Sequence, residues 1–385
     1  MNGLSINARQ TPTGFEIKFR GQKYVVNYPD EIWQQYPQEA KDVLFDNLVY
    51  SETIHLPLHF RRNNIQYNTS PPYLQTYFFQ NMVMDLPSCA DVDGTFTSEL
   101  VKEYMNLKVQ FKDQEIKFPT YLHESRPDSA VVSLSFGKDS LLTWAVCDEL
   151  GLHPQAAYIV EPALTYEEHH KDKLAVKFQK EFGVELQKIE HTVGQLRDGH
   201  RLGVGKTEVG WGLQTTQYAV MILPIANKFE SKYILFGNEQ SCGEYYMDRQ
   251  GFVCYPAYDQ CHTWTKQVDS ITRQLSLGGV RTMSVIEPLN DIAVVYTLFN
   301  RYPEVAKYHM SCFVETEAGR DHRWCMDCSV CSKMYLLIKA SGFDPDSVGL
   351  SRNMLSDEMR SYFSLFGGVD VTTYALTGRG RDEQL

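Results

Sequence analysis

The stretch VVSLSFGKDSLLTWAV, residues 131–146, runs from β-branched residues into an apolar pattern with helical spacing. Its centre, SFGKDS, places a glycine, a lysine, an aspartate and two serines on a sharp turn between a predicted strand and a predicted helix. A turn of this kind at a helix N-terminus offers backbone N–H groups and the positive end of the helix dipole to an anion. We therefore predict a binding site for nucleotide phosphates. The alternative is a turn without a ligand, in which an Asp or Ser serves only as the helix N-cap.

The side chains of the turn have distinct expected roles. Ser135 and Ser140 add hydroxyl donors, Lys138 adds positive charge, and Asp139 offers a carboxylate to Mg²⁺. We expect Lys138 and Asp139 to take part in catalysis. The predicted nucleotide-binding residues of the turn are Ser135, Phe136, Gly137, Lys138, Asp139 and Ser140.

The sequence after the turn alternates between strand and helix patterns. Strands are predicted at 155–160, 184–190 and 232–237, and helices at 139–150, 166–182 and 213–229. This alternation is typical of an α/β fold, a parallel sheet with helices on both faces. Ligands of such folds bind at the carboxyl ends of the strands, which adds Gly237 and Asn238 to the nucleotide site. Glu239 is a candidate catalytic base if burial raises its pKa; alternatively it caps the next segment.

Three domains are predicted along the chain. Residues 15–28 and 107–118 alternate between apolar and polar side chains, which predicts hairpins in a β-rich N-terminal domain at 1–125. Residues 126–290 form the predicted nucleotide-binding α/β domain. Residues 291–385 are predicted to be a mainly helical segment that carries a metal site.

Four cysteines in that segment have a spacing that suits a metal. Cys325, Cys328 and Cys331 follow one another every third residue, and Cys312 lies upstream. Four thiolates match a closed tetrahedral Zn²⁺ site, whose role is structural because it has no open position. The alternative is a set of core cysteines on one helical face. The remaining cysteines lack such spacing and are predicted to be small apolar residues: Cys89, Cys147, Cys242, Cys254 and Cys261.

The composition limits the choice of partners. The apolar content of 43% and charged content of 22% are ordinary for a soluble globular protein. The formal net charge is −11 without a long basic run, so nucleic-acid binding is not expected, although a local basic patch is compatible with that total. The sequence shows neither a signal peptide nor an apolar run of membrane-spanning length, which predicts a cytoplasmic protein without a membrane partner. The sequence is compatible with a homodimer.

The turn resembles the PP-loop of the ATP pyrophosphatase superfamily, usually Ser-Gly-Gly-x-Asp-Ser. Ser135, Gly137, Asp139 and Ser140 match this pattern, and Phe136 replaces its first glycine. The resemblance implies that the loop grips the β- and γ-phosphates of ATP while a substrate oxygen attacks the α-phosphorus. AMP is then transferred and pyrophosphate leaves. ATP and Mg²⁺ are the cofactors that the resemblance implies.

Two families combine such a loop with a cysteine cluster. Residues 130–342 resemble the 7-cyano-7-deazaguanine synthases, which adenylate a carboxylate and convert it with ammonia through an amide to a nitrile. Over the full length the chain is similar to the ATP-dependent epimerases of UDP-N-acetylmuramoyl-L-alanyl-L-glutamate, in segments such as GNEQSCGEYY (237–246) and EPLNDIAVVYTLF (287–299). Both resemblances imply adenylation of the carboxylate of a small molecule, and we predict this reaction for the chain.

Alternatives to that function remain open. One is a tRNA-modifying PP-loop enzyme that adenylates a base before thiolation, which requires a catalytic cysteine pair and a basic surface. Another is a nucleotide-binding partner protein without turnover, which the replacement at Phe136 favours. Residues 199–211 are predicted to be a mobile loop over the nucleotide, with Arg201 and Lys206 reaching phosphate, or else a solvated loop.

Overall fold

The computed structural model describes residues 3–161, 165–314 and 316–363. Ten strands of this part form one mixed sheet, and a separate pair makes a small ribbon. The strands are β1 (Leu4–Thr11), β2 (Gly14–Phe19), β3 (Gln22–Asn27), β4 (Asn64–Tyr67), β5 (Lys108–Phe111), β6 (Arg126–Ser133), β7 (Pro154–Val160), β8 (Leu186–His191), β9 (Ser231–Leu235), β10 (Tyr246–Met247), β11 (Val253–Cys254) and β12 (Arg281–Met283). The helices are α1 (Asp30–Gln35), α2 (Gln38–Ser51), α3 (Leu56–His59), α4 (Gln75–Val92), α5 (Thr97–Met105), α6 (Lys138–Glu149), α7 (Thr165–Phe182), α8 (Gln214–Lys228), α9 (His262–Leu275), α10 (Asp291–Arg301), α11 (Pro303–Ala306) and α12 (Ser329–Ala340).

The half of the sheet that follows β6 is parallel. Its strand order is β12-β9-β6-β7-β8, and every neighbouring pair in it runs in the same direction. The chain leaves β6 towards β7 and β8 and returns to the other side of β6 at β9. This reversal creates a crevice at the carboxyl ends of β6 and β9, which is where ligands of open α/β sheets bind.

Both faces of the central strands are buried. Because side chains alternate between the two faces of a strand, Val131 and Ile234 enter one hydrophobic core while their neighbours Val132 and Leu235 enter the other. Helices α8 and α9 contribute to the first core, and α6 and α10 to the second. The α/β fold class, with helices on both faces of a mostly parallel sheet, is confirmed.

The N-terminal strands extend the same sheet. The hairpin predicted at 15–28 is present as β2 and β3, and β3 pairs antiparallel with β8 through Val26 opposite His191. The hairpin predicted at 107–118 is wrong in its second half, since only β5 forms and residues 112–125 have no strand. Helices α1 to α5, which the sequence analysis did not predict, contribute residues to the same hydrophobic core as these strands.

The described part of the segment after residue 290 is mainly helical, with α10, α11 and α12, and an irregular stretch lies between α11 and α12. Residues 364–385 of the predicted third domain lie outside the described residues, and the three domain boundaries stay predictions. In the described part of the chain, no helix combines the length and the apolar character that a membrane crossing requires.

Candidate active site and metal site

The turn between β6 and α6 closes on itself through its serines. The backbone N–H of Ser135 donates to Oγ of Ser140 at 3.2 Å, and that hydroxyl donates to the carbonyl of Gly137 at 3.1 Å. Gly137 is the N-cap residue of α6, and no side chain caps this helix end. The alternative in which an Asp or Ser caps α6 is therefore not what the structure shows. The N–H groups of the first helical turn, with the positive end of the helix dipole, remain suited to an anion.

Phe136 keeps the backbone shape that a glycine would allow. Its φ is +62°, in the left-handed region that glycine adopts most readily. The side chain is fully buried and packs edge-on against Phe178, with 5.8 Å between the ring centroids. Phe136 thus contributes its side chain to the core and only its backbone to the loop.

The turn borders a cleft of about 330 Å³ at the crevice between β6 and β9. The predicted residues Lys138, Asp139, Gly237 and Glu239 all line it. The structure adds lining residues that the sequence analysis did not assign to the site: Cys242, Gln260, Asp291, Ser311, Phe313, Ser329, Val330, Lys333 and Met334. Elements that are far apart in the sequence therefore meet at the predicted edge of the sheet.

Lys138 is held between two carboxylates in this cleft. Its buried Nζ lies 2.5 Å from Oδ1 of Asp139 and forms a second ion pair with Asp291, which is also paired with Lys333. Burial lowers the pKa of Lys138, but the neighbouring carboxylates outweigh it and raise the pKa, so the amine stays protonated. Burial raises the pKa of Asp291, but Lys138 and Lys333 outweigh it and hold that pKa well below its usual range. Burial raises the pKa of Asp139 despite the contact with Lys138.

Glu239 both caps a helix and faces the cleft. Its Oε2 accepts the backbone N–H of Ser241 at 2.7 Å at the start of the short 3-10 helix Gln240–Gly243, as the capping alternative predicted. Burial and the neighbouring Asp291 raise the pKa of Glu239. A buried carboxyl of raised pKa is also what a general base requires, so the capping bond does not remove that role.

The strand end at β9 approaches α6 closely. A Cβ atom at Gly237 would lie 2.6 Å from Cβ of Asp139, so only glycine fits there without moving the helix. The Asn238 side chain is buried and donates to Oγ1 of Thr265 at 3.0 Å, and it is not among the described residues that line the cleft. Its predicted contact with the nucleotide stays a prediction.

Asp291 and Lys333 are the charged groups that sequence reasoning missed. Asp291 follows Asn290, whose side chain caps α10 by accepting the N–H of Ala293 at 3.0 Å. The Asn-Asp pair before an apolar helical run signals a helix start, so its local pattern indicates a cap and not a site. Lys333 lies one turn into α12 and carries no local signal at all.

The loop at 199–211 does not reach the cleft. Oγ1 of Thr207 donates to Asp93 at 2.6 Å, and Arg201 pairs with Asp198 at 3.3 Å. Neither Arg201 nor Lys206 is among the described residues that line the cleft. The predicted contact of these two cations with phosphate stays a prediction.

The four predicted metal ligands converge. The sulfur atoms of Cys312, Cys325, Cys328 and Cys331 all lie within 4.8 Å of one another. Cys325 precedes α12, Cys328 is its N-cap residue, and Cys331 lies in its first turn. The cysteines are thus not arranged along one helical face, and the core-helix alternative does not describe them.

The sulfur spacing fits a single ion. Thiolates about 2.3 Å from one tetrahedral ion lie roughly 3.8 Å apart. The observed Sγ separations are 3.5 Å for Cys312 and Cys325, 4.0 Å for Cys312 and Cys328, and 3.8 Å for Cys325 and Cys331. A four-iron cluster bonds each thiolate to a different iron, which spreads the sulfurs further apart. The arrangement therefore suits one metal ion better than a cluster.

A second group of charges lies at the carboxyl ends of β7 and β8. His191 contacts Glu52 at 3.0 Å and Glu161 at 2.9 Å, and Arg197 bridges the same two carboxylates at 3.2 and 2.8 Å. Burial lowers the pKa of His191, but the two carboxylates outweigh it and raise the pKa to about 9. This network ties the end of α2, through Glu52, to the parallel sheet.

No protein-family model and no curated protein matches this chain. Among solved structures, the U34-tRNA thiolase NcsA from Methanococcus maripaludis with its 4Fe–4S cluster matches 63% of this chain and 74% of its own, at 17% identity and a TM-score of 0.31. A likeness of this size supports no conclusion about function.

Proposed function

We propose that this chain is a PP-loop enzyme that binds ATP with Mg²⁺ at residues 135–140 and transfers AMP to an acceptor, releasing pyrophosphate. The observation that carries the proposal is the uncapped N-terminus of α6 at the carboxyl end of β6, bordered by Lys138 and Asp139. An acceptor oxygen forms the new bond to the α-phosphorus. The bond from that phosphorus to the bridging oxygen breaks, and pyrophosphate leaves with the electron pair.

The charges of the cleft support a role for Mg²⁺. Among the described lining residues, the carboxylates Asp139, Glu239 and Asp291 outnumber the amines Lys138 and Lys333. Because the carboxylates are in excess, the cleft repels an anion, and a polyphosphate enters it more readily together with a cation. Asp139 would hold the ion through its carboxylate oxygens, the ligands that Mg²⁺ prefers, and the bound ion would offset charge on the phosphates.

The protein's own contribution is positioning and charge. The backbone N–H groups of the first turn of α6 would hold the pyrophosphate oxygens, where negative charge grows as the bond breaks. The hydroxyl of Ser140 donates to the carbonyl of Gly137 and holds the turn in shape. Lys138 remains protonated and fixes Asp139 and Asp291 on either side of it. Glu239 is the candidate base for a proton on the acceptor, since its pKa is raised.

The four-cysteine site would hold Zn²⁺ in a structural role. The four thiolates would take all four positions of a tetrahedral ion, which would leave none for a substrate. The site fixes the start of α12, and with it Ser329, Val330 and Lys333 at the cleft.

Two acceptor classes remain for this step. The carboxylate of a small molecule is the acceptor that the synthase and epimerase resemblances imply, and Lys333 offers a cation for it in the cleft. An RNA base is the second candidate, favoured by the thiol of Cys242, which also lines the cleft and lies 3.6 Å from Glu239. Burial raises the pKa of Cys242 well above its usual range, so this thiol is protonated in the resting protein.

Pyrophosphate release tests the proposal and separates the acceptors. The purified chain is given ATP and Mg²⁺ with either a panel of carboxylic acids or total tRNA, and pyrophosphate is measured. Stimulation by one acid, with one ¹⁸O atom passing from its carboxylate to AMP, assigns the first class. Stimulation by tRNA alone assigns the second. If no acceptor stimulates release and ATP does not bind, the proposal is wrong.

A further inference from the structure

A basic groove lies on the surface formed by α7 and the segment around residues 307–323. It encloses about 850 Å³. Five cationic side chains line it: Lys173, Lys177 and Lys180 from α7, with Lys307 and Arg323 from the other wall. We call this feature the basic groove.

The three lysines of α7 form a row. All three are exposed, and among the residues that the structure describes none of them has a carboxylate within ion-pair distance. Their spacing of four and three residues places them on one face of the helix, with a rise of about 6 Å and then about 4.5 Å along its axis. Lys173, Lys177 and Lys180 thus present a line of charge and not a point.

The opposite wall adds two fixed cations. Lys307 pairs with Glu181 at 2.6 Å. The guanidinium of Arg323 donates to the carbonyl of Val348 at 2.8 Å and to the carbonyl of Lys307 at 3.0 Å, so neutral groups hold it in place. Within the described chain, Arg323 has no carboxylate at ion-pair distance.

The groove is positive although the protein is negative. Glu181 and Asp321 are the carboxylates among its described lining residues, against the five cations named above, which leaves a surplus of three positive charges. The whole chain carries a formal net charge of −11. Such local enrichment against the overall charge is typical of a surface that meets an anionic partner.

We propose that the basic groove binds the phosphodiester backbone of RNA. A row of lysines matches phosphates that recur along a strand, whereas a lone phosphate requires donors that converge on one point. The imidazole of His322, which is exposed in the groove, offers a flat surface for an unpaired base. The chain runs from Lys307 and Tyr308 in the groove directly to Ser311 and Phe313 in the cleft.

The inference goes beyond the proposed function and does not depend on it. An RNA bound along the groove lies beside the segment that borders the ATP cleft, which would favour RNA as the acceptor. Binding of RNA in the groove requires no ATP chemistry, however, and each claim can fail without the other.

Binding of a fluorescent uridine oligonucleotide, followed by anisotropy over a series of KCl concentrations, tests the groove. We expect salt-dependent binding by the wild-type protein. The variant K173Q/K177Q/K180Q is expected to bind at least about tenfold more weakly, and its salt slope to fall by about two, since each single-strand phosphate contact contributes about 0.7. The matched control K18Q/K108Q/K112Q removes the same charge from exposed lysines elsewhere and is expected to bind like the wild type.

Three results would overturn the proposal. The first is that the wild-type protein shows no salt-dependent binding of the oligonucleotide. The second is that both triple variants lose the same amount of affinity for it. The third is that polyglutamate or free ATP, added at the same total negative charge as the RNA, displaces the RNA. The last result would assign the groove to an acidic peptide or a nucleotide. ATP binding measured on the same variants is expected to be unchanged, which separates failure here from failure of the proposed function.

Discussion

The backbone N–H of Met310 donates a hydrogen bond to the carbonyl oxygen of Phe136 at 2.8 Å. Met310 lies two residues before Cys312 in the sequence. This bond therefore joins the predicted phosphate loop to the irregular segment that leads into the metal site. The metal site can therefore support the loop from a distance, although none of its four cysteines is among the described residues that line the cleft. The bond also fixes the carbonyl of Phe136, whose ring is held separately in the core against Phe178.

Loss of one thiolate should remove the metal and loosen this support. We expect about one zinc per chain in protein purified without chelator, and no acid-labile sulfide, because the sulfur spacing fits one ion. C328S should lose the metal and melt at a lower temperature, as elemental analysis and calorimetry will show. C147S, which alters a buried cysteine outside the site, should keep the metal. Several irons with matching sulfide would contradict the single-ion site.

Substitution of Phe136 by glycine should destabilise the protein although it restores the PP-loop pattern. Relief of the left-handed backbone is worth about 1–3 kcal/mol, whereas removal of a buried phenylalanine costs about 3–5 kcal/mol. The loss of packing therefore exceeds the relief of strain, and F136G should lower the free energy of unfolding by about 2 kcal/mol in urea titrations. F136L should lose less because it keeps most of the apolar volume. An unchanged or higher stability of F136G would show that backbone strain dominates.

Lys333 should matter for the nucleotide, and Lys339 on the same helix should not. Lys333 lines the cleft and pairs with the buried Asp291, whereas Lys339 is exposed and lies 3.8 Å from Asp344. K333Q should weaken ATP binding in isothermal titration by at least tenfold, or about 1.4 kcal/mol. The matched variant K339Q should stay within about twofold of the wild type. Equal effects of the two changes would remove Lys333 from the site.

The buried charge network predicts a dependence of stability on pH. The pKa of His191 is about 9 in the folded chain against 6.5 for an ordinary histidine, so its contribution is complete below pH 6.5 and disappears as the pH rises through 9. Burial raises the pKa of Glu161, but Arg197 and His191 outweigh it and lower the pKa. Glu161 therefore stays ionised between pH 6.5 and pH 9 and does not contribute to the change of unfolding free energy with pH in this range. The gap in unfolding free energy between the wild type and H191Q should narrow between pH 6.5 and pH 9; a constant gap would contradict the assignment.

Local patterns predicted the parts of the fold that local physics determines. The strand, turn and helix around Gly137 and the cysteine spacing from Cys312 onwards are short-range signals, and the structure places them as expected. Pairing of Val26 with His191, and of Asp291 with Lys138, joins residues more than a hundred positions apart. Such contacts depend on which surfaces complement each other after folding, so they cannot be predicted from a local sequence pattern.

Identification of the ATP bond that is cleaved tests the central claim most directly. With ATP, Mg²⁺, carboxylic acids and total tRNA present, ³¹P NMR of the products should show AMP and pyrophosphate in equal amounts. D139N should slow their formation at least tenfold, about 1.4 kcal/mol, because Asp139 borders the cleft beside Lys138. D148N, an exposed change on the same helix, should not slow it. The appearance of ADP and phosphate instead, or equal rates in the two variants, would contradict a PP-loop at residues 135–140.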